Sequence, residues 1–183
     1  VLVSVYVLSG LMAGVAALLT AAGSETVTKL VGNGVMTFAE HPDELARLQT
    51  DPSVAGSAVE EVLRWKAPSQ YQGRYALKDR EFHGTTIPAG SPVLIVTGAA
   101  NRDPAQFALP DTLDLARANN RHLAFGFGIH TCAGLSLARM EAQVGIGKLV
   151  TRFSSIERAG EFKRSGRARF RGFMHYPVAL SAR

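Results

Sequence analysis

The sequence holds one cysteine in 183 residues, so neither an internal disulfide framework nor a multi-cysteine zinc site can form within the chain. A lone thiol is compatible with a reducing compartment, and a cytoplasmic location is expected. Internal repeats and Gly/Ser-rich linkers are absent, which points to one domain over residues 1–183, long enough to close a sizeable core. Charge is missing from residues 1–24, and so is the basic flank that a secretory signal needs. That stretch exceeds the roughly 20 residues that span a bilayer. It also runs without a break signal into A-A-G-S-E-T-V-T-K-L, and a helix apolar all round can equally be the buried central helix of a large protein. Hydropathy alone leaves both readings open.

What is present is ordinary for a globular chain, with 46% hydrophobic and 19% charged residues. The net charge of +5 is uneven: from Arg152 onward eight Lys or Arg face two Glu. Such a tail can suggest nucleic acid. With only Phe170 and Phe173 interleaved and no binding module in view, a solvated surface or a docking face for an acidic protein is preferred.

The single cysteine, Cys132, lies in F-G-F-G-I-H-T-C-A-G, residues 125–134. Gly126 and Gly128 suit backbone angles that a Cβ forbids and let the chain pass close to something flat. From Leu135 the apolar positions Leu135, Ala138, Ala142, Ile146, Leu149 and Phe153 recur at spacings of three and four, so the thiol sits just before a helix. Helix N-termini favour negative charge, and a metal-ligating or nucleophilic cysteine acts as its thiolate. A buried structural cysteine would be the plain reading without the glycines. For a nucleophile the nearest base is His130, two residues away. Zinc lacks three further strong ligands, and C-x-x-C-H for covalent haem is absent. A single thiolate on the iron of a non-covalent haem remains.

Upstream, Pro42 suits a first helical turn with Asp43 and Glu44, ended by Asp51-Pro52. Ser57 and Glu60 read as a capping box for a helix that turns Val59, Val62 and Leu63 inward. Glu61 and Arg64 stand at i and i+3 on it, a pair worth about 0.2–0.5 kcal/mol if exposed. From Pro68 the texture changes to short strands at residues 75–77, 81–82, 85–87 and 92–97, with Pro88-Ala89-Gly90 as a turn. The chain therefore reads as mainly α with a small β region.

The run Phe125, Gly126, Gly128, His130, Cys132, Gly134 resembles the cysteine-ligand loop of the cytochrome P-450 superfamily; Ala133, where a larger aliphatic residue is common, is a small departure. Ala22, Gly23, Glu25 and Thr26 look like the acid and threonine pair of the family's long distal helix, which decides for a buried helix over a membrane span. Glu61 and Arg64 resemble its E-x-x-R signature, with Arg117 as third member of a structural network. Arg74 and His130 correspond to partners of the haem propionates. The motifs follow in the family's order along the whole chain and look like its soluble bacterial branch.

The resemblance implies the P-450 fold, C-terminal part only, with a helical N-terminal half missing. It implies haem b, and monooxygenation of a small organic substrate by O2 with two electrons from a ferredoxin-type donor, for which Arg139 and Arg152 are candidate contacts. Cys132 would be the axial iron ligand, and Glu25 and Thr26 would deliver protons. Neither nucleic acid nor membrane is implied as a partner. The alternative is a truncated fragment unable to complete a haem site; without its cover, the helix over residues 1–22 is expected to make the chain poorly soluble.

Overall fold

A computed structural model describes residues 2–183. It opens with one 39-residue helix, α1 (Leu2–Glu40), followed by α2 (Pro42–Thr50) and α3 (Ala55–Trp65). Four short strands come next, β1 (Gln72–Tyr75), β2 (Arg80–Phe82), β3 (Thr85–Ile87) and β4 (Pro92–Ile95). A single turn, α4 (Thr97–Ala100), leads into an irregular stretch before α5 (Leu135–Arg152). The chain closes with β5 (Phe153–Arg158), β6 (Lys163–Arg164), β7 (Phe173–His175) and β8 (Val178–Ala182). The strands pair antiparallel as β1–β4, β2–β3, β5–β8 and β6–β7, so the architecture is mainly helical with small two-stranded sheets.

Helix α1 is rich in Leu, Ala, Met and Val, and nothing in its sequence stops it before His41-Pro42. Its stretch Ser9–Glu40 is apolar and long enough to cross a membrane. Its C-terminal half instead enters the core: Leu30, Met36 and Phe38 are buried, and Leu30 and Phe38 belong to one cluster with Val59, Val62, Ile146 and Val150 of α3 and α5. Glycine lets α1 and α5 approach closely, because a Cβ at Gly34 would stand 3.2 Å from Ile146 Cδ1. Asn33, also buried, donates from Nδ2 to the carbonyl of Lys66 at 2.8 Å and so ties α1 to the end of α3.

Several boundaries differ from the sequence reading. No capping box forms at Ser57 and Glu60. Helix α3 starts at Ala55, because the turn Pro52–Val54, capped by Asp51 accepting from Ser53 N–H, already winds the chain, and Ser57 Oγ donates to Val54 O from inside the helix. The strand expected from Tyr75 to Leu77 lies earlier, at Gln72–Tyr75, where Arg74 pairs with Val93 and Tyr75 with Pro92. Thr97, expected in a strand, begins α4, and Phe153, expected on the helical face of α5, begins β5.

Candidate functional site

The loop that carries Cys132 is wound tightly. Gly126 and Gly128 have φ of +72° and +71°, the left-handed region open to glycine, and a Cβ at Gly126 would meet His130 O at 3.4 Å. Gly126 N–H donates to Leu123 O at 3.0 Å, and Cys132 N–H donates back to Phe125 O at 2.9 Å, closing the loop on itself. A 3-10 turn, Gly128–His130, precedes the cysteine, and Gly134 caps α5 two residues after it. The Cys132 side chain is exposed, flanked by Phe127 at 86% and Ile129 at 97% exposure. Two large apolar side chains left open beside a thiol mark a surface shaped for an apolar partner.

Two carboxylates of α3 hold this loop from behind. Glu61, fully buried, accepts from Arg64 Nη2 at 2.7 Å and Nε at 2.8 Å, from Arg117 Nε at 3.1 Å, from Asn120 Nδ2 at 3.0 Å and from Asp114 N–H at 3.0 Å. Arg64 turns its remaining N–H groups to the carbonyls of Asn101, Pro110 and Thr112. Asn101, also buried, accepts from Leu123 N–H at 2.7 Å, so the network reaches the start of the cysteine loop. A buried charge pair with both partners saturated in this way is costly to break from either side.

Glu60 makes the second clasp. It accepts a bidentate pair from Arg139 of α5, Nε at 2.7 Å and Nη2 at 2.8 Å, and a third bond from His122 Nε2 at 3.1 Å. His122 Nδ1 accepts from Ala124 N–H, which leaves the ring proton on Nε2 to face Glu60. The Arg139 guanidinium also lies over the Phe125 ring, 4.9 Å from its centroid. Burial works to raise the Glu60 carboxyl, but the hydrogen bonds from His122 and Arg139 outweigh it and hold the group at about 2. Arg139, expected as a candidate contact for an electron donor, is thus paired with Glu60 while its side chain stays 35% exposed.

On α1, Thr26 Oγ1 donates to Ala22 O at 2.9 Å, and its neighbour Glu25 accepts from Lys29 and from Arg167, both at 2.7 Å. The Glu25 carboxyl lies below its usual range, chiefly through the Lys29 hydrogen bond, with Arg167 adding to it and burial opposing. Arg167 belongs to the segment between β6 and β7, so the far end of the chain reaches the middle of α1. Arg74 is half-buried on β1 and donates to Gly73 O at 2.7 Å, while His130 is exposed at the cysteine loop.

A family model described as cytochrome P450 matches residues 11–167. The chain belongs to the cytochrome P-450 family. It is 42% identical over 164 residues to the biotin biosynthesis cytochrome P-450 of Bacillus subtilis (strain 168), covering 89% of this chain and 42% of that protein. It is 40% identical over 174 residues to the 6-deoxyerythronolide B hydroxylase of Saccharopolyspora erythraea, covering 92% and 43%. Among solved structures, a P-450 in complex with an acyl carrier protein ligated to hexadec-9Z-enoic acid superposes with a TM-score of 0.87 at 42% identity over 90% of this chain and 43% of that one. Substrate-free CYP109E1 from Bacillus megaterium gives 0.90 at 31% identity, over 93% and 45%. The chain thus spans less than half the length of these relatives.

The family implies a haem, and the residues present fit one. Among the described residues no group of three or more His, Cys, Asp or Glu side chains gathers to hold a bare ion. The donor at this loop is one exposed thiol beside two left-handed glycines and two open apolar side chains, a set suited to a flat apolar macrocycle with one thiolate on its metal. Sequence reasoning missed Glu60, His122, Asn101 and Asn120. Only the adjacency of Glu60 to Glu61 hinted at a second buried-side acid, and the capping-box pattern drew it to the wrong role.

Proposed function

We propose that this chain is the haem-thiolate part of a cytoplasmic P-450 monooxygenase that inserts one oxygen atom from O2 into a small organic substrate, with haem b as cofactor. The observation that carries this reading is the exposed Cys132 on a glycine-turned loop held by the Glu61 and Glu60 clasps. A bound haem would supply O2 binding and its reductive activation, with thiolate ligation favouring O–O cleavage. Cys132 Sγ would be the axial ligand, with Phe125, Gly126, Gly128 and Gly134 keeping the backbone close to the ring. Arg74 and His130 would meet the propionates, the forked guanidinium being suited to a carboxylate. Glu25 and Thr26 would carry protons to the bound cofactor: Thr26 Oγ1 donates to Ala22 O, and Glu25 accepts from Lys29 and Arg167. Electrons would come from a ferredoxin-type protein, with Arg139 and Arg152 as candidate contacts. Neither nucleic acid nor a membrane is needed as partner.

A second reading, a fragment that keeps the motifs without closing a haem site, is favoured by one observation: Leu11, Met12, Leu18 and Leu19 of α1 are all more than 60% exposed. The reduced carbon monoxide difference spectrum of the chain reconstituted with haem separates the two. Thiolate ligation expects a red-shifted Soret band that Cys132→Ala abolishes. Identical spectra for the two proteins would sink the assignment of Cys132 as ligand, and no bound haem in either would favour the fragment.

A further inference from the structure

Away from the cysteine loop, the end of α3, the C-terminal half of α1 and the segment before β7 enclose an open cavity of about 570 Å³. Its walls carry five cationic side chains, Lys66, Arg102, Arg164, Arg167 and Arg171, against one carboxylate, Asp111. Arg102 is paired with Asp111 at 2.7 Å and Arg167 with Glu25 at 2.7 Å. Among the described residues no carboxylate comes within ion-pair distance of Lys66, Arg164 or Arg171. Burial, with the charges of Arg164, Arg102 and Arg171, holds the Lys66 ammonium below its usual range against an opposing pull from Glu40. Three cations are thus gathered around one cavity without a counter-charge, an arrangement that repels itself until an anion enters.

A second, independent observation points the same way. Trp65 lines the cavity, and its indole Nε1 is buried without a hydrogen-bond partner. A buried N–H donor left unpaired is disfavoured, and an acceptor oxygen would relieve it. The Arg102 guanidinium stacks on the same ring, 3.6 Å from its centroid.

We propose that this cavity is a binding site for a small molecule with closely spaced oxyanion groups, inorganic diphosphate being the simplest. Lys66 contributes a point charge, Arg164 and Arg171 contribute guanidinium forks matched to paired oxygens, and Trp65 contributes a neutral donor. The volume is within the range of small-molecule pockets. None of its residues is on the cysteine loop, and Arg167, paired with Glu25, is the one wall residue that touches the haem reading.

Trp65 is the single tryptophan of the chain, which gives the site its own reporter. Titrating the full chain with inorganic diphosphate at low salt is expected to change Trp65 emission saturably, with one equivalent bound by calorimetry. The pair Lys66→Gln and Arg171→Gln is expected to weaken binding at least about tenfold, whereas Arg80→Gln on β2, which removes the same kind of charge elsewhere, leaves it unchanged. Heat without a change in Trp65 emission, several equivalents bound, or equal weakening by Arg80→Gln would each reduce the effect to general attraction by a basic surface and overturn the proposal. Should the double variant lose its helical circular dichroism, competition in the unmodified chain decides: citrate must displace diphosphate at the same stoichiometry, and failure to do so counts against an oxyanion site.

Discussion

Helix α1 carries large apolar side chains in both its halves, yet the two halves have opposite fates. From Leu30 to Phe38 it is sunk between α3 and α5, with Phe38 fully buried. In its first half Val7, Leu11, Met12, Val15, Leu18 and Leu19 stand in the open, Leu18 at 68% and Val7 at 66%. Hydrophobicity is the same in kind, so partners decide burial here, not composition. The cysteine loop repeats the lesson: its back is held by Glu61 and Glu60, and its front, Phe127, Ile129 and Cys132, is bare. The chain reads as a braced frame presenting one unfinished face.

The sharpest way to break that contrast is to attack the frame. Glu61→Ala leaves Arg64 buried and deprives Arg117 and Asn120 of their acceptor, so a loss of about 3–5 kcal/mol in urea-unfolding stability is expected. A loss under 1 kcal/mol would mean that water satisfies Arg64 and that the network is not the brace described above.

The Glu60 clasp should respond to acid. Its carboxyl is held at about 2 in the folded chain against an ordinary 4.5, so its contribution is complete above about pH 4.5 and vanishes as pH falls toward 2. Allowing for partial exposure, about 2 kcal/mol should disappear across that window. Stability curves of Glu60→Gln and the unmodified chain should converge at low pH, and parallel curves would remove the clasp from the account. Smaller again is Gly126→Ala, which forces a Cβ into φ +72° near His130 O and should cost about 1–2 kcal/mol. The same change at Gly134, where φ is −92° and a Cβ meets nothing within 4 Å, should be nearly silent.

Much of the frame was legible in the sequence because its signals are local. Leu135 onward carries a helical period, Pro42 opens a helix at its first position, and Glu61 and Arg64 meet at the i, i+3 spacing that one helix face provides. What was not legible depends on long-range partners. Arg139 looks free in sequence and is bound by a carboxylate 79 residues earlier, and Asn101 carries no local sign that it will accept from Leu123. Glu60 was read as a cap because its spacing from Ser57 fits one, while the helix had already started at Ala55. The cavity beside Trp65 draws its cations from Lys66, Arg102 and the stretch from Arg164 to Arg171, segments too far apart for any spacing rule to join.

The open half of α1 supplies the smallest effect and the most telling one. If Leu18 lacks a partner, Leu18→Gln removes no packing, keeps a good helix former and should change unfolding stability by less than about 0.5 kcal/mol. Phe38→Ala, on the same helix but inside the core, should cost about 3–5 kcal/mol. Light scattering should separate the pair in the other direction. Shrinking an exposed apolar patch lowers self-association, so Leu18→Gln should raise the concentration at which the chain stays monodisperse, whereas Phe38→Ala should lower it by populating unfolded chains. If Leu18→Gln destabilises as strongly as Phe38→Ala, the first half of α1 is buried in solution against something, and the face that looks unfinished is already covered.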